Sequence, residues 1–200
     1  MGELALNGID VIWWNRRNDE APTKDTFVPV SRQLPYTISK KPRGGLWTSP
    51  LVSEYGWWHW AMDEGQPFRL RTKAVSLYRI NSIEEAEAFM DRYGLEVCLT
   101  EQLSMWDARW TDFAKVYDGL WLTERGQAET RMPYLFERDT LVATTFEESE
   151  RVSFYGWDCE TIFFTRWCFL EIEPLSRNRN PHRRPTERGV RVKRRVRDAT

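Results

Sequence analysis

Three short clusters place side chains suited to chemistry close together in the sequence. Asp158, Cys159 and Glu160 set two carboxylates two positions apart, at the head of the apolar run Thr161, Ile162, Phe163, Phe164. Residues 159–164 have the strongest strand character in the chain. Alternate residues of a strand share a face, so Asp158, Glu160, Ile162 and Phe164 are expected on one side, with the two acids about 6 to 7 Å apart. A carboxylate within such an apolar segment needs hydrogen bonds or an open cleft to keep its charge. A solvated edge strand would carry the same pair without any chemistry. The second cluster is Gly44, Gly45, Leu46, Trp47, Thr48, Ser49, Pro50. Glycine lets a ligand or another backbone approach closely, and an aromatic plane beside two hydroxyls suits a heteroaromatic ring joined to a sugar. A loop leading into a strand accounts for the same residues. The third is Tyr117, Asp118, Gly119, Leu120, which also reads as a plain helix-to-strand turn.

Other chemistries lack their residues. There is no G-x-S-x-G elbow, no G-x-x-x-x-G-K-[ST] phosphate loop and no G-x-G-x-x-G. Cys98, Cys159 and Cys168 are widely spaced, and His59 and His182 are the only histidines. That set supports neither a disulfide framework nor a four-ligand zinc site, so no metal is expected. His59 sits among tryptophans, where a packed helix residue is the simpler reading than a catalytic base.

The elements that must position these clusters form an α+β pattern. Strands are expected at 11–14, 46–49, 74–80, 120–122, 141–145, 152–155 and 159–164, with 168–172 continuing or pairing with the last. An edge strand is expected at 27–30, where Pro29 removes a ladder donor. Ser82 and Glu85 have capping-box spacing, with Glu85 reaching back to the cap amide. Ile83, Ala86, Phe89, Met90 and Tyr93 follow on one helical face, and Gly94 is placed as the C-terminal cap. A second helix is expected over 105–117, with Trp106, Trp110, Phe113, Ala114 and Tyr117 on one face. A short one over 54–64 would gather Trp57, Trp60 and Ala61. Regular βαβ alternation is missing. The expectation is a small mixed or antiparallel split sheet with two to three helices.

The chain has 200 residues, of which 41% are hydrophobic and 14% aromatic, enough for one core built from few large side chains. Its net charge of −1 hides an asymmetry. Residues 176–200 hold ten Lys or Arg against two acids, which leaves the rest of the chain acidic. These residues have almost no apolar mass, so a single domain over 1–175 with a disordered basic tail is expected. Such a tail suits nucleic acid, where each cation set against a phosphate releases counterions. No stretch approaches the roughly 20 apolar residues of a membrane-spanning helix. Residues 1–10 lack the pattern of a secretory signal, so a cytoplasmic protein is expected.

Taken in order, the three clusters resemble those of the ADP-ribosyltransferase superfamily, in the loose form seen among small phage-encoded proteins. Gly45-Leu46-Trp47-Thr48-Ser49 is similar to the superfamily's glycine followed by a strand with an aromatic and small hydroxyl residues. Tyr117-Asp118-Gly119-Leu120 is similar to a later Tyr-Asp-Gly-Ile turn and strand. Asp158-Cys159-Glu160 resembles the terminal acid-x-Glu pair. The Lys41-Pro42-Arg43-Gly44-Gly45-Leu46-Trp47 run also resembles phage products. The resemblance covers roughly residues 10–170 through these motifs. It implies NAD as substrate, with Gly45, Trp47, Thr48 and Ser49 around it and Arg16 as the nearest counterpart of the first-strand Arg or His. It implies Glu160 as the catalytic carboxylate and Asp158 as the group that orients the acceptor or takes its proton. The implied acceptor is a host macromolecule, protein or nucleic acid. Two other classes fit the same residues. One is a non-enzymatic protein that binds a host target through tryptophans such as Trp57, Trp58 and Trp60. The other is a nucleic-acid binder acting through its tail.

Overall fold

The computed structural model describes residues 3–14, 20–31, 40–53, 56, 65–100, 103–131, 151–154 and 156–176. Among them are ten strands and three helices, in a mixed α+β arrangement with a mostly antiparallel sheet. The strands are β1 (Glu3–Leu6), β2 (Asp10–Trp14), β3 (Leu46–Pro50), β4 (Pro67–Thr72), β5 (Val75–Ile80), β6 (Gly94–Thr100), β7 (Leu103–Ala108), β8 (Gly119–Leu122), β9 (Thr161–Phe164) and β10 (Phe169–Pro174). The helices are α1 (Ile83–Tyr93), α2 (Trp110–Val116) and α3 (Glu124–Thr130).

Eight strands form one sheet in the order β1-β5-β8-β9-β3-β2-β4-β10, and β6 pairs with β7 in a separate hairpin. Only β5 and β8 run parallel, because α1, the hairpin and α2 return the chain between them. All four residues of β9 are buried, since both sheet faces are covered there. Phe163 packs on one side with Leu120, Leu122, Tyr78 and the helical residues Phe89, Trp110 and Phe113. Ile162 and Phe164 pack on the other with Leu46, Val11, Leu70 and Phe169. Alternation along a strand thus makes β9 the partition between two cores.

α1 forms where its cap and apolar spacing place it. Ser82 Oγ accepts from the Glu85 amide, and Ala86, Phe89, Met90 and Tyr93 are buried. Glu85 reaches one residue further back than a capping box requires, accepting from the Asn81 N–H at 2.7 Å. Gly94 ends the helix in extended rather than left-handed backbone. The chain passes from it directly into β6.

Several sequence expectations are corrected. The helix over 105–117 is shorter, because residues 103–108 pair with β6 as a hairpin and helical structure begins only at Trp110. Residues 27–30 form no strand. They run beside the start of β3, where the Gly45 amide donates to the Val28 carbonyl and Ser31 bridges Arg43. Residues 152–154 are not a strand either, although Val152 and Phe154 are buried. Phe154 is tied instead to the end of α3 through the Thr130 carbonyl. β10 pairs with β4 and not with β9. The expected element at 54–64, apart from Gly56, the one at 141–145 and the basic residues 177–200 lie outside the described residues.

Candidate functional site

The three sequence clusters lie on, or lead directly into, the adjacent strands β3, β8 and β9. β9 lies between β8 and β3, with Trp121 opposite Ile162 on one side and Thr48 opposite Ile162 on the other. Gly45 has φ +67°, a conformation open to glycine, and a side chain there would run into the Phe163 ring. A side chain at Gly119 would run into the Phe163 carbonyl. Both glycines therefore admit β9 between its neighbours.

Strand pairing begins at Thr161, so Asp158 and Glu160 precede β9 and do not follow its alternation. The expected pair of acids on one strand face is corrected accordingly: the two carboxylates have different partners. Asp158 is 53% exposed and lies between Lys41 Nζ at 4.0 Å and an Arg131 guanidinium nitrogen at 3.7 Å. Glu160 is half-buried, and both of its oxygens accept hydrogen bonds. Trp121 Nε1–H donates to Oε1 at 2.8 Å, and Ser53 Oγ donates to Oε2 at 2.5 Å. The Glu160 backbone is fixed as well, since its carbonyl accepts from Ser49 Oγ at 2.9 Å. The two oxygens are thus held by different donors, an indole N–H on Oε1 and a hydroxyl on Oε2.

Thr48 and Ser49 are fully buried. Thr48 Oγ1 donates to the Ile162 carbonyl at 2.7 Å, so both hydroxyls brace the approach to β9. Trp47 is half-buried, with its ring centroid 4.6 Å from that of Phe163 and 4.7 Å from that of Trp157. Lys41 Nζ lies 5.5 Å from the Trp47 centroid, which links this ring to the cation beside Asp158.

Trp47 also borders a cavity of about 540 Å³ with Trp13, Phe27, Gly44, Gly45 and Trp167. Its size and aromatic walls fall in the range of small-molecule sites. The cavity lies at the beginning of β3. Glu160 lies by its end, because Ile162 is opposite Thr48 and Glu160 precedes Ile162 by two residues. The third cluster serves as a joint. Asp118 Oδ2 accepts from the Ser76 amide at 2.8 Å, and Thr165 Oγ1 donates to the Tyr117 carbonyl at 2.9 Å, which ties β5, β8 and the end of β9 together.

Arg16 and His59 lie outside the described residues, as do Trp57, Trp58 and Trp60. Ser53 and Trp121 were not among the sequence candidates. Trp121 carried a signal: strand alternation sends Leu120 and Leu122 into one core and turns Trp121 to the opposite face. Ser53 carried none, being 107 residues from its partner. Among the described residues, no three His, Cys, Asp or Glu side chains lie together so as to hold a metal ion. No helix among them is long and apolar enough to cross a membrane. Comparison with protein-family models, with curated proteins and with solved structures gives no match to this chain.

Proposed function

We propose that the protein is an NAD-consuming ADP-ribosyltransferase that modifies a host macromolecule. The observation that carries this reading is the convergence of its three motifs. Segments separated by about 70 and 40 residues of sequence form the adjacent strands β3, β8 and β9, and the half-buried carboxylate of the acid-x-Glu motif accepts from Trp121 of β8 and from Ser53 in the turn after β3.

In this reading Glu160 accepts from the ribose 2′-hydroxyl and stabilises positive charge as the bond from C1′ to the nicotinamide nitrogen breaks. The bonding electron pair leaves with nicotinamide, which is neutral once released, so no acid is needed to protonate it. The acceptor then bonds to C1′, and its proton passes to Asp158, the more exposed acid. Trp47 and Gly45 lie toward the nicotinamide end of the dinucleotide, with Arg16 as a further anchor. Thr48 and Ser49 act by bracing the backbone that carries Glu160 rather than through free hydroxyls. The basic residues 176–200 favour nucleic acid as acceptor over protein.

Glu160→Gln keeps the shape of the side chain and removes its charge. It is expected to slow nicotinamide release from NAD on the order of 10²-fold or more, the scale of losing a preorganised electrostatic partner. An unchanged rate removes Glu160 from the mechanism.

A further inference from the structure

We infer that Trp121 and Ser53 are positioning residues for the Glu160 carboxylate; this rests on the transferase reading above. Trp121 is half-buried on the side of β8 that faces the second core, so its ring has a packing role of which phenylalanine would keep the larger part. The indole N–H adds one thing that phenylalanine cannot supply, a donor 2.8 Å from Glu160 Oε1. That donor never accepts, so it fixes Oε1 as an acceptor and sets the plane of the carboxylate. Ser53 fixes the second oxygen from the turn that follows β3. Ser49, within β3, holds the main chain of the same residue. Glu160 is therefore held at three points: its carboxylate by Trp121 of β8 and Ser53 of the turn after β3, and its main chain by Ser49 of β3. Each carboxylate oxygen has two lone pairs, so one protein donor apiece leaves each with capacity to accept from a substrate hydroxyl.

Two residues outside the strand hydroxyl run, Trp121 and Ser53, thus orient the carboxylate, while the Thr48 and Ser49 hydroxyls donate to the Ile162 and Glu160 carbonyls. Loss of hydrogen-bond partners that orient metal ligands commonly costs 10- to 100-fold, and the same scale is carried over to a reacting carboxylate. Trp121→Phe and Ser53→Ala are each expected to lower kcat for nicotinamide release by about that factor, with KM for NAD unchanged. Ser53→Thr retains the hydroxyl and should retain kcat.

A purely structural role is separated by the Glu160→Gln background. If Trp121 acts through Glu160, adding Trp121→Phe to Glu160→Gln costs nothing further. Full additivity of the two losses would overturn the positioning role. So would a wild-type kcat in the Trp121→Phe enzyme while Glu160→Gln is impaired. The contact has its own readout: the Trp121 indole N–H resonance should move in Glu160→Gln, and an unmoved resonance contradicts the bond. A wild-type protein that releases no nicotinamide overturns the transferase reading, and the positioning role with it.

Discussion

Glu160 and Asp158 are two residues apart, yet their surroundings differ completely. One carboxylate is gripped by an indole and a hydroxyl; the other lies exposed between two cations. The acids themselves were legible in the sequence because charge inside an apolar run stands out. Their relative placement was not, because strand alternation applies only from Thr161 onward. Cys159 lies between them and is buried, as is Cys168. Burial pushes both thiols up to about 12, and burial followed by the neighbouring Tyr117 does the same to Tyr78. In the unfolded chain these groups ionise near 9 to 10. The folded form therefore holds their protons more tightly, and their contribution to stability is complete below about pH 8.5. It declines as pH rises toward 12. Urea midpoints measured from pH 8 to 11 should fall with pH. A flat profile would contradict the burial of these groups.

Elements with strong local signals form where the sequence puts them. α1 has a capping serine, an apolar stripe and a glycine just past its end, and each agrees with the others. Ser82→Ala is expected to cost about 1 kcal/mol, measured by denaturant unfolding. A value near zero would mean that the bond of Glu85 to the Asn81 amide holds the helix start without the hydroxyl. The segment 103–117 illustrates the opposite case. Trp106, Trp110, Phe113 and Tyr117 have helical spacing, but Trp106 reaches the same core from a strand. Pairing with β6 decided the matter, and a partner strand is invisible to local periodicity. The same holds for 27–30, which gave a strand-like composition but found only the edge of β3.

At the scale of the whole molecule, the α+β class was legible from the lack of regular alternation, and the sheet order was not. The sequence clusters at 44–50, 117–120 and 158–160 come together because β9 inserts between β3 and β8, with Gly45 and Gly119 making room for Phe163. The charge asymmetry belongs to this scale too. If the basic residues 176–200 contact nucleic acid, deleting 177–200 should weaken RNA or DNA binding and flatten its dependence on salt, since fewer counterions are released. Binding that survives deletion with the same salt slope excludes this arm as the contact. The proposal that Glu160 supports transfer of ADP-ribose from NAD has one direct test. Purified protein is incubated with NAD labelled in its adenylate half and with cell lysate, beside Glu160→Gln. Label is expected on macromolecules with the wild type alone, removed by nuclease if the acceptor is nucleic acid and by protease if it is protein. Equal labelling by the two proteins, or none by either, would contradict the proposal.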